Sequence, residues 1–102
     1  MKNTKWMKEM TSAELAEAIK NGTDTVIIPG GAYEVYGPQL PLGSDTIVSL
    51  AVCERVAAKT NAIIGPCFEV GESASLYQFP GTIKIMPDTY YRVMEDIIDS
   101  LA

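Results

Sequence analysis

A chain of 102 residues that is 47% hydrophobic and 21% charged falls within the globular range and is long enough for one small domain at most. Its formal charge of -5, pI near 4.5 and scattered lysines exclude a basic surface able to follow a phosphate backbone, so no nucleic-acid partner is expected. The chain has no histidine, the commonest transition-metal ligand and usual general base, so any metal site built from it must rest on oxygen donors.

The first ten residues hold Lys2, Lys5, Lys8 and Glu9 around Trp6 without a continuous apolar stretch, and so do not read as a signal peptide. No apolar run approaches the roughly 18 to 20 residues of a membrane span. A soluble, cytoplasmic protein with no membrane partner is expected. Thr11-Ser12-Ala13-Glu14 ahead of Leu15, Ala18 and Ile19 is a capping box that opens a short amphipathic helix, which Asn21-Gly22 stops. Residues 25–28, Thr-Val-Ile-Ile, form a β-branched apolar run that empties into Pro29-Gly30-Gly31, the pattern of a buried strand followed by a loop.

Residues 30–43 contain four glycines and two prolines, too many for regular structure. Ile47, Val48, Ala51, Val52 and Val56 then recur at helical spacing and predict a helix from Ser44 or Asp45 to Lys59. Residues 62–64 read as a second strand closed by Gly65-Pro66, residues 69–81 as a polar and aromatic loop, and residues 82–85 as a third, alternating strand. Pro87-Asp88 opens a last helix with a broad apolar stripe of Tyr90, Val93, Met94, Ile97, Ile98 and Leu101. The alternating order predicts an α/β fold, three αβα layers around a mainly parallel sheet. Leu101-Ala102 shows no helix stop signal, so residues 1–102 read as a single domain that is an incomplete N-terminal half. Cys53 and Cys67 lack metal-type spacing and read as reduced thiols, with Cys53 in the core.

Ligands of open α/β sheets gather at the carboxyl ends of the strands, the position of the 30–45 loop. Glu34 lies just beyond a strand and Asp45 in the first turn of a helix, joined by a Gly- and Pro-rich segment able to fold back; two such carboxylates suit a divalent cation. An Asp at a helix start is also a common N-cap, and a loop Glu is commonly just solvated. Glu69 and Glu72 read as solvated.

The stretch Gly31-Ala32-Tyr33-Glu34-Val35-Tyr36-Gly37-Pro38-Gln39-Leu40-Pro41-Leu42-Gly43-Ser44-Asp45-Thr46 resembles the creatininase-family signature Gly-Ser-x-Glu-Gln-His-Gly-Pro-His-Leu-Pro-Leu-Gly-Thr-Asp-Thr. Phe79-Pro80-Gly81-Thr82, followed by Met86-Pro87-Asp88-Thr89, matches a second feature of that family. The resemblance implies a creatininase-like fold and a pair of divalent metals, Zn or Mn, bound by the Glu, the His and the bridging Asp of the signature. Glu34 and Asp45 are then the expected metal ligands, for one or two ions. The His position is Tyr36, which is left as a weak phenol ligand, a phenolate ligand, a substrate hydrogen-bond donor or no ligand at all. Positions often His in the family are Gln39 and Leu76 here, so a divergent member is expected. The family's remaining ligands surround a Gly-His-Gly-Gly-Asn motif after its third helix, and the general base is expected beyond Ala102.

The implied activity is hydrolysis of a small cyclic amide or related ring compound. The alternatives are a hydrolase opening an oxidised inositol ring of the 3-dehydro-scyllo-inosose type, or a non-catalytic assembly module. Tyr33, Tyr36, Tyr77, Gln78 and Phe79 are candidate substrate contacts for a small molecule, although Tyr77 and Phe79 serve equally as core or interface aromatics. A homo-oligomer is expected, since family members are oligomers and an incomplete domain leaves apolar surface exposed.

Overall fold

The computed structural model describes residues 4–73 and 76–102. Lys2, and residues 74 and 75 of the 69–81 loop, lie outside the described residues. A short 3-10 turn, Met7–Glu9, precedes α1 (Ser12–Lys20), β1 (Val26–Ile27), α2 (Ser44–Lys59), β2 (Ile63–Ile64) and α3 (Pro87–Leu101). The capping box is complete. Glu14 donates its backbone N–H to Thr11 Oγ1 at 3.1 Å, and Thr11 donates its own to Glu14 Oε1 at 3.0 Å, so two amides that the helix cannot satisfy are paired.

β1 and β2 pair in parallel, Val26 with Ile63 and Ile27 with Ile64. The amides of Ile63 and Gly65 donate to Thr25 and Ile27, while that of Ile64 donates to Lys5 at 2.7 Å on the opposite side. Trp6 makes a parallel bridge to Ile64, so β2 is central, flanked by β1 and by an N-terminal segment that carries no strand signature in the sequence. The central position explains why Ile64 is 1% exposed; its full burial is worth on the order of 2 kcal/mol. Parallel pairing across helical connections is the α/β arrangement read from the sequence.

α2 packs on β2 through small side chains. Cys53 and Ala57 form the core with Ile64, and Trp6 and Ile27 close over them. The stripe that marks α2 in the sequence is a different face: Ile47, Val48, Val52 and Val56 are 58%, 62%, 55% and 43% exposed. α3 buries no residue fully. A radius of gyration of 15.7 Å, against about 13 Å for a compact chain of this length, agrees with this open packing.

The strand expected at residues 82–85 does not form. Ile83 donates its amide to Tyr33 O at 2.8 Å and Ile85 donates to Gly71 O at 3.2 Å, so successive amides on one edge serve two separate segments and no ladder propagates. The segment instead ties the loop after β1 to the loop before α3. No helix among the described residues is long and apolar enough to cross a membrane.

Candidate functional site

The loop after β1 leaves the sheet at Pro29, which is fully buried, and is stitched at once to the chain after β2: Phe68 donates to Pro29 O and Gly31 donates to Phe68 O, both at 2.8 Å. Three further contacts set the backbone around Glu34. Glu34 donates its amide to Leu42 O at 3.1 Å, Val35 donates to Thr82 Oγ1 at 3.0 Å, and Tyr33 O accepts from Ile83. The Gly-Pro-rich signature and the Phe79-Pro80-Gly81-Thr82 feature are thus one assembly in space. An ideal Cβ placed on Gly81, whose φ is +87°, would lie 2.4 Å from Leu42 Cδ1.

The folded-back loop delivers its chain to α2, whose N-cap is Gly43 with no side-chain cap. Asp45 is therefore in the first turn and is not the cap, which leaves its carboxylate available to the site. A cavity of about 380 Å³ is lined by Gly31, Ala32, Glu34, Asp45, Gly71, Glu72, Ser73, Pro87, Tyr90 and Tyr91. The carboxyls of Glu34 and Asp45 come within hydrogen-bonding reach of each other. That contact raises the Glu34 pKa above its ordinary value; desolvation and the Asp45 charge raise it further, while the Ser73 hydroxyl lowers it. Asp45 thus disfavours the charged form of Glu34, and a cation held between the two carboxyls would relieve that cost.

Ser73 is 3% exposed, and its hydroxyl makes no hydrogen bond of ordinary geometry among the described residues. It acts on Glu34 from within the wall of the cavity. Oxygen donors of this kind suit Mn²⁺ or Zn²⁺. Glu34 and Asp45 fit part of such a shell, for no group of three or more His, Cys, Asp or Glu among the described residues is placed to hold a metal.

Tyr36 donates its hydroxyl to Asp45 Oδ1 at 3.1 Å. Its pKa is raised, chiefly by that hydrogen bond and then by the Asp45 charge. Tyr36 does not line the cavity of Glu34. It lines an adjoining apolar one of about 500 Å³ with Leu40, Pro41, Ile47 and Val48, and Asp45 stands between the two. Tyr33, Tyr77 and Phe79 are exposed and, like Gln78, lie outside the lining of the carboxylate cavity; Lys84 Nζ sits 4.4 Å from the Tyr77 ring centroid. Glu69 is exposed, whereas Glu72, though exposed, borders the cavity and is engaged in an interaction of its own.

Sequence reasoning missed Ser73, Tyr90 and Tyr91. Tyr90 packs edge-on against Phe68, with ring centroids 5.1 Å apart, which brings the first turns of α3 over the site. Tyr90 begins the apolar stripe of α3 and on that ground reads as core; the Phe68 contact that turns it toward the site is long-range.

Family and structural comparisons agree with this geometry. The profile of the creatininase, or creatinine amidohydrolase, family matches residues 8–102. The creatinine amidohydrolase of Pseudomonas putida is 29% identical over 107 residues, covering 100% of this chain and 41% of its own length. The 3-dehydro-scyllo-inosose hydrolase of Thermotoga maritima is 28% identical, over 91% of this chain and 30% of the relative. Among solved structures, a manganese creatininase superposes with TM-score 0.91 at 27% identity, covering 97% of this chain and 40% of that one. A mutant creatininase of the Zn-Zn type superposes with TM-score 0.90 at 28% identity, covering 98% and 41%. The chain thus spans about two fifths of the length of the creatinine amidohydrolase it matches. It belongs to the creatininase family.

Proposed function

We propose that the protein is a divalent-metal-dependent hydrolase of a small cyclic amide or related ring compound, with Glu34 and Asp45 as metal ligands. The observation that carries this reading is the convergence of those two carboxylates on one cavity at the carboxyl end of a parallel sheet. The manganese and zinc forms of the structural neighbours support the choice of metal.

A bound cation supplies Lewis acidity toward a substrate carbonyl and makes a water acidic enough to act as nucleophile near neutral pH. Glu34 serves as a terminal ligand, its backbone fixed by Leu42 and its neighbour Val35 by Thr82. Asp45 is held by the rigid first turn of α2. Tyr90 and Tyr91 give the cavity an aromatic wall sized for a small ring, while Ser73, buried in that wall, supports Glu34. Tyr33, Tyr77, Gln78 and Phe79 remain proposed as outer substrate contacts.

Opening of an oxidised inositol ring is the second reading, favoured by the Thermotoga maritima relative. Self-association belongs to the proposal too, supported by the exposed Ile47, Val48, Val52 and Val56 of α2. The test is metal analysis of the full-length protein together with turnover of creatinine and of keto-inositols in the presence of Mn²⁺ or Zn²⁺. Metal-dependent turnover that Glu34→Gln and Asp45→Asn each reduce by about 100-fold or more, with loss of bound metal, is the expected result. Full activity of both variants would defeat the assignment.

A further inference from the structure

We infer that Tyr36 is a positioning residue that occupies one oxygen of Asp45, so that the Glu34–Asp45 pair receives one divalent cation and not two. The inference rests on the metal-hydrolase reading above and goes beyond it in stoichiometry and in the role of Tyr36.

A carboxylate that bridges two cations must offer one oxygen to each. Asp45 stands between two cavities, with Glu34 lining one and Tyr36 the other. Its oxygen Oδ1 already accepts the Tyr36 hydroxyl at 3.1 Å, so that oxygen is engaged on the Tyr36 side. Tyr36 lines the apolar cleft with Leu40, Pro41, Ile47 and Val48, on that side of Asp45, and does not line the Glu34 cavity.

A signature histidine would present a nitrogen lone pair on the Tyr36 side, whereas Tyr36 presents a phenol hydroxyl already given to Asp45. On the Glu34 side the donors differ: a second carboxylate lines the same cavity as Asp45, with Ser73 in its wall. One side of Asp45 is thus furnished for a cation, and the other is closed by a hydroxyl donor. Hydrogen bonds to a ligating carboxylate orient it and raise its affinity, so the phenol strengthens the single site that it borders.

The test is isothermal titration of the full-length protein with Mn²⁺, alongside the electron paramagnetic resonance of the bound ion, for wild type, Tyr36→Phe, Tyr36→His and Glu34→Gln. Circular dichroism confirms that each variant is folded. The wild type should bind one Mn²⁺ per chain with the resolved hyperfine pattern of an isolated ion. Tyr36→Phe should keep one ion and bind it ten- to a hundred-fold more weakly, a change that a merely structural role would not make. Tyr36→His should bind two ions with the broadened spectrum of a coupled pair. Two ions on the wild type, or unchanged affinity in Tyr36→Phe, would overturn this inference alone. A wild type that binds no Mn²⁺, like Glu34→Gln, would overturn the metal-hydrolase reading and this inference with it.

Discussion

Gly31 and Thr46 touch with no space between them: a Cβ on Gly31 would stand 2.0 Å from Thr46 Oγ1 and 2.7 Å from Thr46 Cα. The second distance is to backbone, so no rotation of the Thr46 side chain relieves it. This contact sets how closely the start of α2 approaches the loop after β1, and with it the separation of Asp45 from Glu34. Gly31→Ala is expected to cost about 1–3 kcal/mol through overpacking. Urea denaturation measures that cost, and Mn²⁺ titration should show weaker binding because Asp45 moves with Thr46. Wild-type stability and affinity in Gly31→Ala would refute the close-contact account.

Gly81 combines a left-handed φ of +87° with a close approach to Leu42 Cδ1. Gly81→Ala is therefore expected to lose about 1–2 kcal/mol from backbone strain, plus a clash with a flexible side-chain end. Leu42→Ala removes the clash and leaves the strain. A double-mutant cycle should give a coupling of about 0.5–3 kcal/mol between the two positions, and additive losses would show that they do not meet.

Thr82 is buried, and its hydroxyl accepts the Val35 amide one residue beyond Glu34. Thr82→Val preserves the shape and leaves that amide without its acceptor, at a cost of about 1–3 kcal/mol. Thr82→Ser keeps the acceptor and should lose only about 1 kcal/mol for the missing methyl. Equal losses by denaturant titration would argue that the hydrogen bond contributes nothing.

The raised pKa of Glu34 gives a pH test. In the folded, metal-free protein Glu34 binds its proton more tightly than in the unfolded chain, where its ordinary value is 4.5. The stability from that proton is fully present below about pH 4.5 and is lost as pH rises through the higher folded value. Without metal, Glu34→Gln should therefore melt above wild type at neutral pH and level with it in acid. Mn²⁺ should reverse the order at neutral pH by stabilising wild type alone. A variant that melts below wild type without metal would show that Asp45 does not oppose the ionisation of Glu34.

Much of this protein is legible without its fold, because the relevant interactions are local. The Thr11–Glu14 capping box, the β-branched runs at β1 and β2, the range of α2 and the Gly- and Pro-rich return from Glu34 to Asp45 are written in residues near each other in the chain. Family membership follows from the same contiguous motifs.

Other features depend on residues far apart, and no periodicity announces them. Trp6 joins the sheet because the free edge of Ile64 accepts it, and residues 82–85 fail as a strand because their amides are claimed by Tyr33 and Gly71. α2 turns Thr46, Cys53 and Ala57 inward because a helix close to the sheet needs small side chains there, although its larger valines mark the helix in the sequence. Sequence alone places Glu34, Tyr36 and Asp45 on one loop and helix start. Only the tertiary structure decides that Glu34 and Asp45 share a cavity with Ser73 and that Tyr36 reaches Asp45 from the other side, since side-chain direction is set by packing and long-range hydrogen bonds.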